Sequence, residues 1–286
     1  MKRFKDFLLE KLIILGKGKR EGQLLWLVGG AGSGKGFART GFIENEKFKA
    51  LDVDELKSLL IRLSKLGKAD PMLAKLNLRN PKDVEYLHKY VKDRKLPEKR
   101  LTSLLKGATP GNLPNILFDV TLGREGKIED LMARLLKLGY DKRNMHIVWV
   151  LTDYTLAVKQ NQERPRVVSA DIMLDTHVGT AKEMHKFLTE GTPAGLNGDI
   201  HVILGGNKNN ILYKDREGNP ILTGKKKNQV VIKTFTSVKV KEQGKRHDSK
   251  SEVTKKVFNW IDDNAPVDLR LANVFSAKRK SQLKLK

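Results

Sequence analysis

The 286-residue chain contains no cysteine. That absence excludes disulfides, thiolate catalysis and cysteine-ligated zinc, and it suits a reducing compartment, so a cytoplasmic location is the expectation. Apolar runs of membrane-span length are also missing, and with 39% hydrophobic residues the composition is that of a soluble globular protein large enough for one big or two modest domains. The opening stretch, Met1 to Glu10, is basic and then apolar, but Asp6, Glu10 and Lys11 interrupt it, so no export signal is expected. There is no internal repeat. His177 and His185 lie in one helical stretch without a carboxylate at metal-ligand spacing, and both read as packing or surface residues.

What is present is organised around Leu24-Leu25-Trp26-Leu27-Val28 and the turn that follows, Gly29-Gly30-Ala31-Gly32-Ser33-Gly34-Lys35-Gly36. Five apolar residues ahead of a glycine-rich turn read as a buried parallel strand, and Gly29 to Lys35 fits the G-x-x-x-x-G-K spacing of a phosphate-binding loop. Glycines let successive N–H groups point into one concavity, the next helix adds its positive end, and Lys35 reaches the terminal phosphates. A nucleoside triphosphate, ATP, is the implied ligand. The competing reading is a glycine-rich turn with an incidental lysine. One position departs from the pattern: Gly36 stands where Ser or Thr usually gives a hydroxyl to magnesium.

Acid is scarce. Lys and Arg number 56 against 33 Asp and Glu, a net charge of +23. Such a field attracts polyanions, and for a nucleotide-binding chain the second polyanion is nucleic acid; a solvated, lysine-rich surface is the plainer alternative. No membrane partner is expected.

Along the chain, Phe4, Leu8, Leu12 and Leu15 predict an amphipathic helix over residues 1–15. Phe48 to Asp54 reads as a second strand with two acids, Asp52 and Asp54, at its carboxyl end, where ligands sit in open α/β sheets. Residues 55–114 form a helical insertion, with Leu56, Leu59, Leu60 and Leu63 on one face and a helix start at Asn80-Pro81. Arg79, near that start, is a candidate acceptor contact, although structural cover is the favoured reading of the insertion. Asn115 to Thr121 is a third strand whose Asp119 could hold magnesium, or cap a turn. His146 to Leu151 and Asp199 to Gly206 supply the fourth and fifth strands. Between them a lid, residues 154–177, carries Lys159, Arg164 and Arg166, which either fold over bound phosphates or are solvated helix-end charges. The expected fold is therefore α/β: a doubly wound parallel sheet of about five strands, a core over residues 1–206, and a small β-rich extension over 207–286 with a basic loop (Lys225 to Asn228), a terminal helix (Val253, Val257, Trp260, Ile261) and a basic tail (Lys278 to Lys286).

The ordered set of phosphate loop, Asp52-x-Asp54, Asp119-x-Thr121 and a basic lid resembles the P-loop kinases of the zeta-toxin and polynucleotide-kinase group over Gln23 to His177. The sequence also looks like kinases of large tailed phages, among them kinases of hydroxymethylated pyrimidines in DNA. The resemblance implies ATP and Mg2+ as cofactors, Lys35 on the terminal phosphates, and Asp54 as general base. It further implies Asp52 as metal or structural support, Lys57 as a basic substrate contact, Asp119 and Thr121 organising magnesium or the attacking group, and Arg166 as a lid arginine. Lys159 stands where related kinases often carry arginine. Two alternatives stay open: a zeta-like kinase of a nucleotide sugar, and a nucleotide-binding or DNA-associated module with weak or lost turnover, which Gly36 encourages.

Overall fold

Leu24–Val28 forms β1, and all five of its residues are buried, as befits a strand covered by helices on both faces. Alternate side chains part into two layers. Leu24, Trp26 and Val28 enter the larger core, where Trp26 stacks on Phe118 with ring centroids 5.5 Å apart. Leu25 and Leu27 face a smaller one with Ile13, Ala38, Phe42 and Ile43.

The computed structural model describes residues 13–16, 21–44, 48–122, 126–164, 166–193, 195–205, 210–212, 214–223, 229–230, 232–246 and 248–259. After β1 come α1 (Lys35–Gly41), β2 (Phe48–Asp52), α2 (Val53–Lys65), α3 (Pro71–Ala74), α4 (Pro81–Asp93), α5 (Leu96–Leu104), β3 (Asn115–Val120), α6 (Lys127–Lys137), β4 (Met145–Thr152), α7 (Tyr154–Gln162), α8 (Ala170–Thr189) and β5 (Ile200–Gly205). The remainder supplies β6 (Asn210–Leu212), β7 (Leu222–Thr223), β8 (Gln229–Val230), β9 (Ile232–Lys241) and α9 (Lys250–Val253), which continues as a π-type turn, Thr254–Phe258.

The main sheet has the order β2-β3-β1-β4-β5-β9-β6. Its first five strands are parallel, and β9 and β6 join antiparallel. The doubly wound parallel core of five strands is as expected, and the antiparallel β9 and β6 bring the sheet to seven. The late strand β9 pairs with β5 and extends the same sheet. The physical reason is the open hydrogen-bonding edge of β5, which the returning strand covers while Val240 enters the larger core. β7 and β8 form a separate two-stranded ribbon.

Two further expectations change. β2 stops at Asp52 because that side chain caps the next helix, its Oδ1 accepting from Asp54 N at 2.8 Å and Glu55 N at 3.2 Å; Asp54 therefore lies in the first turn of α2. Ile13 and Leu15 are not helical: Ile13 donates its N–H to Phe42 O (3.0 Å) and accepts from Glu44 N (2.9 Å), as a short bridge beside the smaller core. The other residues of that predicted helix, Phe4, Leu8 and Leu12, lie outside the described residues, as do Lys225 to Asn228, Trp260, Ile261 and the basic tail.

The insertion builds its own small core from Ile61, Leu73, Leu87 and Val91. Its helix start is as read: Asn80 Oδ1 accepts from Lys82 N at 3.0 Å, with Pro81 in the first turn. The inner face of α2 is rotated from the expected leucine face. Lys57, Ile61 and Ser64 are buried, whereas Leu59 is exposed; Ile61 enters the insertion's core with Leu56 and Leu60 packed against it, and Lys57 Nζ lies 3.6 Å from Asp54 one turn earlier on the same helix. No described helix is long and apolar enough to cross a membrane.

At the amino ends of β4 and β5 a buried polar network ties distant segments together. His146 is fully buried; its Nδ1 accepts the Asp199 N–H at 2.8 Å and its Nε2 lies 2.7 Å from Gln23 Oε1, so the ring is the neutral Nε2–H form, and burial lowers its pKa. The Asp199 carboxylate accepts from Gln243 N (3.0 Å) and Gly16 N (3.3 Å) and faces Lys239 Nζ (3.5 Å). Burial alone would raise its pKa, but the Gln243 N–H and the Lys239 ammonium outweigh it and hold the carboxyl well below the ordinary range. Removing it strands several donors at once. Asp199→Ala is expected to cost about 3 kcal/mol in urea unfolding at pH 7. Because the folded pKa is depressed, that difference should hold above pH ~4 and shrink as the pH falls below it.

Candidate active site

The turn between β1 and α1 is held in shape from outside itself. Gly34 precedes α1 in the left-handed region, φ +87°, where a side chain would be strained. From β4, Thr152 Oγ1 donates to Ser33 O at 2.7 Å. From α8, Thr176 Oγ1 accepts the Ala31 N–H at 3.1 Å, and His177 Nε2 donates to Ala31 O at 2.8 Å. The His177 ring lies so close to Gly30 that a Cβ there would meet it at 2.2 Å, and Tyr154 packs edge-on against the ring, centroids 5.3 Å apart. Burial lowers the His177 pKa, the Ala31 bond opposes it, and Lys35 lowers it further, so the imidazole is neutral. With the Ala31 N–H already engaged, an anion in the turn would be met by the later N–H groups, at the positive end of α1.

Lys35 bends back over the loop, donating to Gly29 O (2.9 Å) and Gly30 O (3.2 Å), and its Nζ lies 3.7 Å from Asp119 Oδ1. Asp119 sits in β3 opposite Asp52 of β2 and Leu27 of β1, so both acids come to the carboxyl end of the sheet beside the loop. Burial pushes the Asp119 pKa up to about 6; Lys35 opposes this, and Asp52 and Asp54 add to it. Asp52 is engaged as the α2 cap and by Arg39 NH1 at 3.7 Å. Thr121 follows β3, half-buried, its carbonyl accepting from Lys127 Nζ at 3.4 Å.

A second charged cluster centres on Asp54. Arg166 NH2 makes a short hydrogen-bonded ion pair with its Oδ2, and Lys57 Nζ lies 3.6 Å from Oδ1. Burial would raise the Asp54 pKa, but Arg166, Lys57 and Arg164 outweigh it and the carboxyl is held below its ordinary value. Lys57 Nζ also lies 3.3 Å from His88 Nδ1 on α4. Burial lowers the Lys57 pKa against the pull of Asp54, and His88 is lowered by its own burial and then by Lys57. Arg166 is positioned by a closed loop: Asn161 bonds Val168 through both amide atoms (2.8 and 3.0 Å), and Val167 N donates to Leu78 O of the insertion at 3.3 Å.

The structure thus brings together Gly29 to Lys35, Asp52, Asp54, Lys57, Asp119, Thr121, Arg164 and Arg166. Lys159 stays exposed on α7, and Arg79 is exposed on the insertion. Gly36 is exposed in the first turn of α1, with no atom within 4 Å of where a Cβ would stand. Thr152, Thr176 and His88 were not singled out by sequence, and His177 was read as a packing or surface residue. No local signal marks them, because each meets its partner across a long sequence separation.

A parallel sheet of order β2-β3-β1-β4-β5 with a phosphate loop after its central strand is a fold of the P-loop kinase type. Neither a protein-family model nor a curated protein matches the sequence. Among solved structures, the AvrRxo1-ORF1:AvrRxo1-ORF2 complex with sulphate ions is similar at 12% identity, over 92% of this chain and 80% of that one, with a TM-score of 0.49. The AvrRxo1-ORF1:-ORF2 structure with ATP matches at 12% identity, over 91% and 76%, TM-score 0.44. A structure from the PezAT chromosomal toxin-antitoxin system of Streptococcus pneumoniae matches at 16% identity, over 66% and 70%, TM-score 0.41. These likenesses are remote, and the class of the fold rests on the strand order and the loop.

His177→Ala removes one hydrogen bond and the wall behind Gly30. It is expected to weaken ATP binding about tenfold in calorimetry, with His177→Gln partly restoring it. Asp119→Asn bears on pH dependence. A carboxyl raised to about 6 in the fold loses stability as the pH rises from its unfolded value of ~3.9 through that pKa. Thermal melts should therefore show the variant gaining over the native chain between pH 4 and pH 6, with a constant gain above.

Proposed function

We propose that this chain is an ATP-dependent phosphotransferase that moves the γ-phosphoryl group to a hydroxyl, with the acceptor on DNA or RNA. The observation that carries the proposal is the placement of Asp54 beside Asp119 and the phosphate loop, gripped by Arg166 and Lys57. Phosphoryl transfer passes through a loose transition state, so positioning and charge matter more than base strength. An aspartate with a depressed pKa suits that role. It is ionised, accepts a hydrogen bond from the acceptor hydroxyl, and takes the proton as the new O–P bond forms and the bond between the γ-phosphorus and the β-phosphate oxygen breaks, releasing ADP. Lys35 exchanges its loop carbonyls for phosphate oxygens, and Arg164 and Arg166 offset charge on the transferred group.

Mg2+ fits the residues at hand in a specific way. Among the described residues no cluster of three or more ligating side chains is gathered, and Gly36 supplies no hydroxyl. Asp119 is the acid free of a capping role, and magnesium characteristically takes one or two carboxylates together with substrate phosphates and water. Asp119 would hold the ion, with Asp52 behind it; bound there, it would neutralise charge on the phosphates. The net charge of +23 supports a nucleic-acid acceptor, such as a modified base or an end. Gly36 favours a second reading, a nucleotide-binding module without turnover.

The test is transfer of label from γ-labelled ATP, with magnesium, to DNA carrying ordinary or hydroxymethylated pyrimidines, to RNA ends and to nucleotide sugars. Label on a nucleic acid is expected, falling at least a hundredfold in Asp54→Asn and in Lys35→Ala while both variants keep the native melting profile. Label on a nucleotide sugar alone would move the acceptor class. No label anywhere with ATP binding intact would favour the binding module.

A further inference from the structure

A second strongly charged feature lies away from the phosphate loop. α5, the last turn of α6 and the residues just beyond both helices form an open groove of about 640 Å³ lined by Lys99, Thr102, Lys106, Arg134, Lys137 and the leucines 105 and 138, with Ser103 at its side. Arg134 NH2 donates to Thr102 Oγ1 at 3.2 Å and fastens the two helices across it. All four cations are exposed. No acidic side chain lines the groove, and among the described residues none of the four is paired with a carboxylate.

Helix polarity accounts for part of this. Arg134 and Lys137 occupy the last turn of α6, where cations meet the negative end of the helix. Lys106, just past the C-cap of α5, meets the negative end of that helix in the same way, whereas Lys99, inside α5, does not have that explanation. Four like charges converging on one groove repel one another, and a bound polyanion relieves that repulsion while releasing its own counterions. The lining contains no aromatic ring, hence no platform for stacking bases, and the groove is suited to a phosphodiester backbone without base readout. Its place in the fold separates it from the ATP site. α5 leads into the start of β3 and α6 toward the start of β4, whereas Asp119 is the fifth residue of β3, about 13 Å further along the strand.

We infer that the α5–α6 groove is a binding site for the sugar-phosphate backbone of nucleic acid, remote from the catalytic end of the sheet. The inference shares with the proposed function its nucleic-acid partner, and it deepens that reading by naming the surface that would tether the polymer. The groove's contribution is to local concentration of the acceptor, not to chemistry.

The experiment is fluorescence anisotropy of a labelled DNA, single-stranded and duplex in separate arms, titrated with the full chain at several salt concentrations. Lys99→Ala/Lys137→Ala is compared with Lys65→Ala/Lys75→Ala, which removes the same charge from exposed positions outside the groove. The groove variant should bind at least tenfold more weakly, and its slope of log affinity against log salt should flatten by about 1.4–1.8, the value for two lost phosphate contacts. The control pair should stay near the native slope, and both variants should keep native melting and ATP binding. Whichever arm binds more tightly identifies the form of nucleic acid. Equal losses in the two variants, an unchanged slope in the groove variant, or displacement of the DNA by polyglutamate as readily as by unlabelled DNA would overturn the inference. Because the readout is binding, a chain that transfers no phosphate but loses DNA through the groove variant would keep this inference and fail the kinase reading.

Discussion

Ala31 is gripped on both sides by α8, its N–H by Thr176 and its carbonyl by His177, and the rest of the site depends on that grip. A glycine-rich loop is the least ordered piece of chain by composition, because glycine loses the most conformational freedom on folding. Here the ordering comes from neighbours. Thr152 of β4 holds Ser33 O, α8 holds Ala31, and α1 begins directly from the loop. The loop is thereby a preformed cradle, the condition under which backbone dipoles act on a phosphate without reorganising first.

The same helix pair connects the two halves of the site. α7 and α8 flank the loop that carries Arg164 and Arg166, so the elements that shape the phosphate cradle also deliver the arginine to Asp54. The Asn161–Val168 clasp and the bond from Val167 to Leu78 tie that loop to the helical insertion. The insertion presents His88 to Lys57 and accepts the Val167 N–H at Leu78 O. Charge is balanced locally: two cations face Asp54, and Lys35 faces Asp119, whose pKa burial nevertheless keeps high.

At the other end of the sheet, the buried Asp199 network joins Gly16, His146, Lys239 and Gln243. It locks β9 onto β5, which makes the late part of the chain an extension of the main sheet. The end that carries the glycine-rich loop is assembled from strand ends and helix starts, where backbone donors are open. The opposite end is tied together by the buried contacts of Asp199 and His146. Rigidity at one end supports an accessible site at the other.

Much of this was legible along the chain, because the signals were local. Five consecutive apolar residues ahead of a glycine-rich turn specify β1 and the loop whatever lies elsewhere, and Asn80-Pro81 specifies a helix start by its own hydrogen bond and fixed φ. Asp119 was legible as the acid at the end of an apolar strand and Lys35 from the spacing of the loop, whereas Asp54, read at a strand end, lies in the first turn of α2. What tertiary structure alone decided were contacts between residues far apart in sequence. Thr176 and His177 reach Ala31 across 145 and 146 residues, and β9 finds the edge of β5. Hydrophobic periodicity carries no record of such pairings, since they arise when the sheet sets distant strand ends side by side.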